Sequence, residues 1–132
     1  MTINFVEVKY VSPKKDRGLV SKEFIKKGTT LEIAPVILLS NKDHDLIKNT
    51  ILNNYIFDWD NPDDESEYKN AIVMSPCEFL NHSYDPNISY EKNFKKRTIK
   101  FVAIKDIQRG EELTINYNGK LNDLNPIWFD LE

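Results

Sequence analysis

Glu78-Phe79-Leu80-Asn81-His82-Ser83-Tyr84-Asp85-Pro86-Asn87 is the densest run of ligand-recognising polar groups in the chain, and Gly110-Glu111-Glu112-Leu113-Thr114-Ile115-Asn116-Tyr117 follows near the end. Just ahead of the first run, Ser75-Pro76-Cys77-Glu78 has the pattern of an N-cap serine, a proline at the first helical position and a glutamate at the third. This predicts a single helical turn that carries Phe79 and Leu80 inward and delivers Asn81 and His82 at its end. Asp85-Pro86-Asn87 then closes a turn. Singly, each polar residue has an ordinary explanation. Asn81-His82-Ser83 can hydrogen-bond its own turn, and Tyr117 can be a core tyrosine with a satisfied hydroxyl. The reading depends on whether the two runs meet in space.

The flanking sequence predicts short strands. Val6, Val8 and Tyr10 alternate with Glu7 and Lys9, the period of a half-buried strand. Ser12 to Gly18 reads as a loop, and Phe24 to Gly28 ends in a turn. Thr30 to Leu39 reads as a buried strand that Pro35 pushes towards an edge or a bend. Asp43 to Asn53 is more helical, with Asp43 as its cap. Asn54 to Trp59 returns to aromatic and β-branched residues, and Ala71 to Met74 is a short apolar strand. Ile88 to Glu91 and Thr98 to Ile104 form a hairpin around a solvated basic tip, Lys92 to Arg97. Leu113 to Tyr117 is a last short strand. Many short strands, frequent turns and little helix indicate a mostly β fold.

With 132 residues, the chain is expected to be one domain. Its 40% hydrophobic and 30% charged residues fit a globular protein. A net charge of −3 argues against direct nucleic-acid binding, which needs basic excess, but suits a basic substrate. The acidic loop Asp58 to Glu67 reads first as a solvated connection and second as a wall that attracts a basic peptide. Cys77 is the single cysteine, so an intrachain disulfide is excluded and a reducing compartment, cytoplasmic or nuclear, is expected. No signal-peptide pattern opens the chain, and no apolar run is long enough to span a membrane. No Gly-rich phosphate loop or dinucleotide fingerprint is present. His44 and His82 lack metal-ligand spacing, so no metal is expected. Cys77 with His82 makes a poor thiol nucleophile pair, and Cys77 reads as a small buried residue.

Together the motifs resemble those of SET-domain protein lysine methyltransferases. Phe79 to Ser83 followed by Asp85-Pro86-Asn87 is similar to that family's asparagine-histidine-serine motif, and Glu111 to Tyr117 to its final tyrosine motif. Asp16-Arg17-Gly18-Leu19-Val20 resembles its N-terminal glycine loop, and Phe24 to Gly28 the segment after it. The order is the family's, and the likeness spans about residues 5 to 129. The size resembles the minimal viral and bacterial members, which lack cysteine-rich zinc-binding flanks.

The resemblance implies a β-clip fold of several small sheets with short helices and a C-terminal pseudoknot, in which the Asn81 segment passes beneath the Tyr117 segment. It implies one SET domain over residues 1–132, with its core at about 5–118 and a flank, 119–132, that completes the site. It implies methyl transfer from S-adenosylmethionine to a lysine side-chain amine, with S-adenosylhomocysteine as co-product. Asn81 would bind the amino-acid end of the cofactor, and the His82 backbone the adenine. Arg17, Gly18 and Leu19 would offer backbone groups to its methionine portion, and Trp128 or Phe129 would pack on the adenine. Tyr117 matches the catalytic tyrosine. Tyr55, in a looser match through Asn54-Tyr55-Ile56-Phe57, would line the lysine channel, with Ile115 beside it.

Three positions depart from the family pattern. Asp16 replaces the first loop glycine and restricts the backbone there. Tyr84 stands where a cysteine is common. Ile115 replaces a Phe or Tyr that influences how many methyl groups are added, which points to more than one. The expected partner is a lysine-containing, basic protein such as a histone, in the host nucleus if the source is a virus or an intracellular bacterium. Oligomeric state stays open, a homodimer included. The competing readings are an inactive SET-like module that binds a basic peptide and a structural β domain without a ligand.

Overall fold

The structure, a computed structural model, describes residues 4–61 and 67–117. The strands among them are β1 (Val6–Ser12), β2 (Asp16–Ser21), β3 (Thr30–Ser40), β4 (Phe57–Asp58), β5 (Tyr68–Val73), β6 (Asn81–His82), β7 (Ile88–Asn93), β8 (Thr98–Ala103) and β9 (Glu112–Ile115). They form a four-stranded sheet in the order β1-β2-β9-β6 and a five-stranded sheet in the order β4-β5-β3-β8-β7. Among the described residues, helix is confined to α1 (Asn41–Ile47) and two 3₁₀ turns, Ile51–Tyr55 and Pro76–Phe79. The mostly β expectation holds.

Both sheets pack on one core. Leu19, Leu113 and Ile115 from the first sheet and Ile88, Ile99 and Phe101 from the second are fully buried in a single cluster with Leu80 and Ile107. Burying each such side chain contributes about 1.5–3 kcal/mol.

Three local expectations need correction. β1 is an edge strand, so only its start is buried: Val6 is covered, while Val8 and Tyr10 lie open at 37% and 60% exposure. Alternation there does not mark a half-buried strand. Pro35 sits in the central strand of the larger sheet, not at its edge. It marks the place where β3 changes partners, pairing β8 over Thr30 to Pro35 and β5 over Val36 to Ser40. A proline, which lacks an N–H, is tolerated where the ladder switches sides. Finally, α1 is capped by Ser40, and Asp43 is the third residue of a reciprocal capping box. The helix ends by Lys48, and the 3₁₀ turn capped by Thr50 follows.

The hairpin tip also differs from a purely solvated turn. Phe94 packs edge-on against buried Trp59, with ring centroids 5.0 Å apart. Trp59 is the second residue of the acidic stretch Asp58 to Glu67, whose residues 62–66 lie outside the described part of the chain.

Candidate active site

The two polar runs meet. β6 and β9 pair in parallel, with Asn81 opposite Thr114 and His82 opposite Ile115. Beyond the short ladder, the Ser83 N–H donates to the Ile115 carbonyl at 2.8 Å, and the Tyr117 N–H donates to His82 Nδ1 at 2.9 Å. The Tyr117 hydroxyl donates to the Leu80 carbonyl at 2.8 Å. Asn87 clasps the crossing from the side. Its amide nitrogen donates to the Glu112 carbonyl and to Glu111 Oε2, and its oxygen accepts from the Thr114 N–H. The sequence reading made Asn87 only the end of a turn, because its partners lie about 25 residues away in the chain.

The glycine loop lies against the same crossing. β2 pairs antiparallel with β9, with Leu19 opposite Leu113. Asn81 Nδ2 donates to the Arg17 carbonyl at 3.2 Å and to Glu112 Oε2 at 2.8 Å. The other Glu112 oxygen accepts from Lys15 Nζ at 3.0 Å, in an ion pair about three-quarters buried. A Cβ on Gly18 would fall 2.7 Å from Asn81 Nδ2 and 2.6 Å from Glu112 Oε2, so any other residue would push the ends of both side chains away. Asp16 takes a φ of 60°, the left-handed region that glycine favours and aspartate also visits. An aspartate in this conformation costs about 1–2 kcal/mol relative to glycine.

Asn81, His82, Arg17, Gly18 and Tyr117 thus come together. Leu19 is fully buried, so it can offer a ligand only backbone groups. The expected adenine contacts, Trp128 and Phe129, lie outside the described residues.

The donor set fits S-adenosylmethionine. Both hydrogens of the Asn81 amide nitrogen are used within the chain, so the amide oxygen is what it can present to an ammonium. The Arg17 guanidinium lies 4.8 Å over the Phe79 ring, and as a cation it would suit a ligand carboxylate. The His82 ring is buried, and burial lowers its pKa, so the imidazole is neutral at physiological pH. Accepting at Nδ1 puts its proton on Nε2, which is buried without a hydrogen-bond partner.

Tyr117 also lines a cavity, together with Tyr55, Phe57, Leu80 and Tyr90. Glu78, Asp58 and Lys92 also line it. Tyr55 meets Phe79 edge-on at 5.8 Å, which joins this wall to Arg17. Ile115 is fully buried in the core and is not among the lining residues. Burial, then the nearby charge of Glu78, raises the Tyr117 pKa, so the hydroxyl stays protonated at neutral pH. Burial pushes Cys77 up to about 12, which makes it an inert core thiol and no nucleophile.

Glu78 does not close a capping box. Ser75 does cap the 3₁₀ turn through the Cys77 N–H. Glu78 Oε1 instead accepts a long 3.4 Å bond from the Val73 N–H, and Oε2 is buried without a partner. Its only sequence signal was an acidic residue between Cys77 and Phe79, both expected to be buried.

No group of three or more His, Cys, Asp or Glu able to hold a metal occurs among the described residues. No described helix is long and apolar enough to cross a membrane.

The chain resembles proteins of known family. A family model described as the SET domain matches residues 16–118. A Schizosaccharomyces pombe histone-lysine N-methyltransferase, H3 lysine-37 specific, is 29% identical over 120 residues, covering 90% of this chain and 74% of that protein. A second S. pombe histone-lysine N-methyltransferase, H3 lysine-9 specific, is 46% identical over 83 residues, or 55% of this chain and only 16% of that protein. Among solved structures, a Plasmodium falciparum protein described as a histone methyltransferase matches with a TM-score of 0.63 at 23% identity, over 86% of this chain and 93% of that one. That likeness bears on the fold alone. Given the family match and the paired motif strands, the chain belongs to the SET domain family.

Proposed function

We propose that this chain is an S-adenosylmethionine-dependent protein-lysine N-methyltransferase. The observation that carries the reading is the parallel pairing of β6 with β9, which sets the Asn81 amide and the Tyr117 hydroxyl at one crossing. The relatives named for histone H3 methylation support the same activity. Bound S-adenosylmethionine supplies an electrophilic methyl group on a sulfonium.

The chain's residues divide the remaining work. Asn81, Arg17 and the backbone beside Gly18 hold the amino-acid end. The aromatic cavity admits a lysine side chain from the other side and excludes water from it. Alignment of this kind can lower the barrier by several kcal/mol. Tyr117 has committed its proton to the Leu80 carbonyl, so it presents oxygen to the reacting centre. With its pKa raised, it orients the reactants and does not act as the base. Asp58 and Asp60 near the cavity give a basic peptide an attractive approach. The substrate is a lysine in a histone tail or another basic protein, and the work is nuclear if histones are the target.

The test is incubation with methyl-labelled S-adenosylmethionine and a mixture of core histones and total protein extract, followed by mapping of labelled residues. Label on specific lysines is expected, and lost with Tyr117→Phe. No labelled lysine from a folded wild-type protein that binds the cofactor would remove the enzyme reading in favour of a peptide-binding module.

A further inference from the structure

We propose that Glu78 is the proton acceptor for the incoming lysine ammonium, an inference that rests on the methyltransferase reading. Three observations carry it. Glu78 lines the aromatic cavity together with Tyr117. Its Oε2 is buried without a hydrogen-bond partner, and its Oε1 has only the 3.4 Å contact with the Val73 N–H. A carboxyl oxygen held this way is costly, and such groups persist where a ligand completes them.

The surroundings suit the role. From the 3₁₀ turn Ile51–Tyr55 and β4 come Tyr55, Phe57 and Asp58, from β7 Tyr90 and Lys92, and from just beyond β9 Tyr117. Burial raises Tyr90 to about 12 and raises Tyr117 as well, so both phenols are neutral. Burial lowers the Lys92 pKa, which Asp58 and Asp60 partly offset. Behind Glu78, Cys77 stays a thiol, held up by burial and by the charges of Glu32 and Glu78. Burial raises Glu78 itself to about 8, against the single opposing bond from Val73. A carboxyl poised there can give up its proton to solvent when a cation arrives and take one back from that cation.

The step balances. The ammonium N–H bond breaks as an O–H bond forms on the Glu78 carboxylate. The freed nitrogen lone pair forms the new C–N bond, and the C–S electron pair stays on sulfur. Glu78 then returns its proton to solvent. Entry of the ammonium beside a protonated Glu78 must first release one proton.

The test uses the full chain without cofactor and n-butylamine as the lysine side-chain probe. Calorimetry at pH 7 in buffers of different ionisation enthalpy should count about one proton released per probe bound. Wild-type affinity should rise up to about tenfold per pH unit from 6 to 8. Glu78→Gln keeps the shape and can still accept from the Val73 N–H. It should release no proton and show no pH dependence. With cofactor, it should lose about 100-fold in kcat/KM while keeping its affinity for S-adenosylhomocysteine. Wild type that does not bind the probe, or binds it without proton release, overturns the proposal, and so does a variant with wild-type proton release or turnover. If the variant does not fold, infrared difference spectra of the wild type at pH 7 decide: probe binding should convert a protonated carboxyl to a carboxylate, and an unchanged carboxyl signal overturns the proposal. Failure of the enzyme reading is seen separately, as absence of methyl transfer by the wild type.

Discussion

Replacing Gly18 with alanine tests the architecture of the cofactor side directly. Ordinary contact begins near 3.4 Å, so Asn81 Nδ2 and Glu112 Oε2 must each retreat by about 0.7–0.8 Å from the new Cβ. Neither is free to do so. Asn81 is held by the Arg17 carbonyl as well as by Glu112, and Glu112 is held by Lys15. Val11 Cγ1, at 3.3 Å, blocks an easy shift of β2 in the other direction. A retreat of that size stretches the 3.2 Å bond to Arg17 beyond hydrogen-bonding range. Overpacking costs about 1–3 kcal/mol, and loss of a neutral hydrogen bond such as that to the Arg17 carbonyl about 0.5–1.5 kcal/mol. Partial relaxation makes a total near 2–4 kcal/mol a fair expectation. Urea unfolding reads the stability loss, and calorimetry with S-adenosylhomocysteine should show affinity falling about 10- to 100-fold. Gly28→Ala is the control. Its φ is 93° with nothing within 4 Å of a new Cβ, so it should cost about 1–2 kcal/mol of backbone strain and leave ligand affinity alone. A Gly18→Ala protein with wild-type stability and affinity would refute the close approach of β2 to Asn81.

Tyr117→Phe should cut methyl transfer at least about 100-fold while S-adenosylhomocysteine affinity stays within about twofold; unchanged turnover would remove the hydroxyl from the mechanism. Asn87→Ala leaves the Thr114 N–H and Glu112 carbonyl without their clasp and should cost about 2–4 kcal/mol in urea unfolding. Glu78 binds its proton more tightly folded, at about 8, than unfolded, near 4.5, so its contribution to stability is full below pH 4.5 and lost as pH rises through 8. His82 has the opposite sign: its lowered pKa means stability falls as pH drops below 6.5, where only the unfolded chain takes up the proton. Melting curves across pH should therefore show a decline between pH 6.5 and 8 that Glu78→Gln flattens, while below pH 6.5 the two groups oppose each other and that variant exposes the His82 loss.

The motif strands were legible because their chemistry is local and ordered along the chain. Ser75-Pro76 announced a capped turn, and Ile88 to Glu91 with Thr98 to Ile104 announced a hairpin, whose first strand runs on to Asn93. What stayed hidden depends on position within the sheets. Val8 and Tyr10 alternate like buried residues, yet β1 lies at an edge and only Val6 is covered. Pro35 looked like the mark of an edge or a bend because nothing local reveals a strand that swaps partners midway. Glu78 fitted a capping box until the Val73 N–H and the cavity competed for its carboxyl. Asn87 looked like turn chemistry because its clasp on Glu112 and Thr114 exists only after the chain has returned.

The placement of β9 also sets an order of assembly. It is the last described strand in sequence yet lies between β2 and β6 in its sheet. The β1–β2 hairpin and the larger sheet, whose strands all precede residue 104, can form during synthesis while one edge of β2 stands open. The crossing that holds Asn81 and Tyr117 cannot form until residues 112–117 have emerged. A ribosome stalled before that point carries a chain with most of its core and none of its active site, with an exposed strand edge for a chaperone or a second nascent chain to capture.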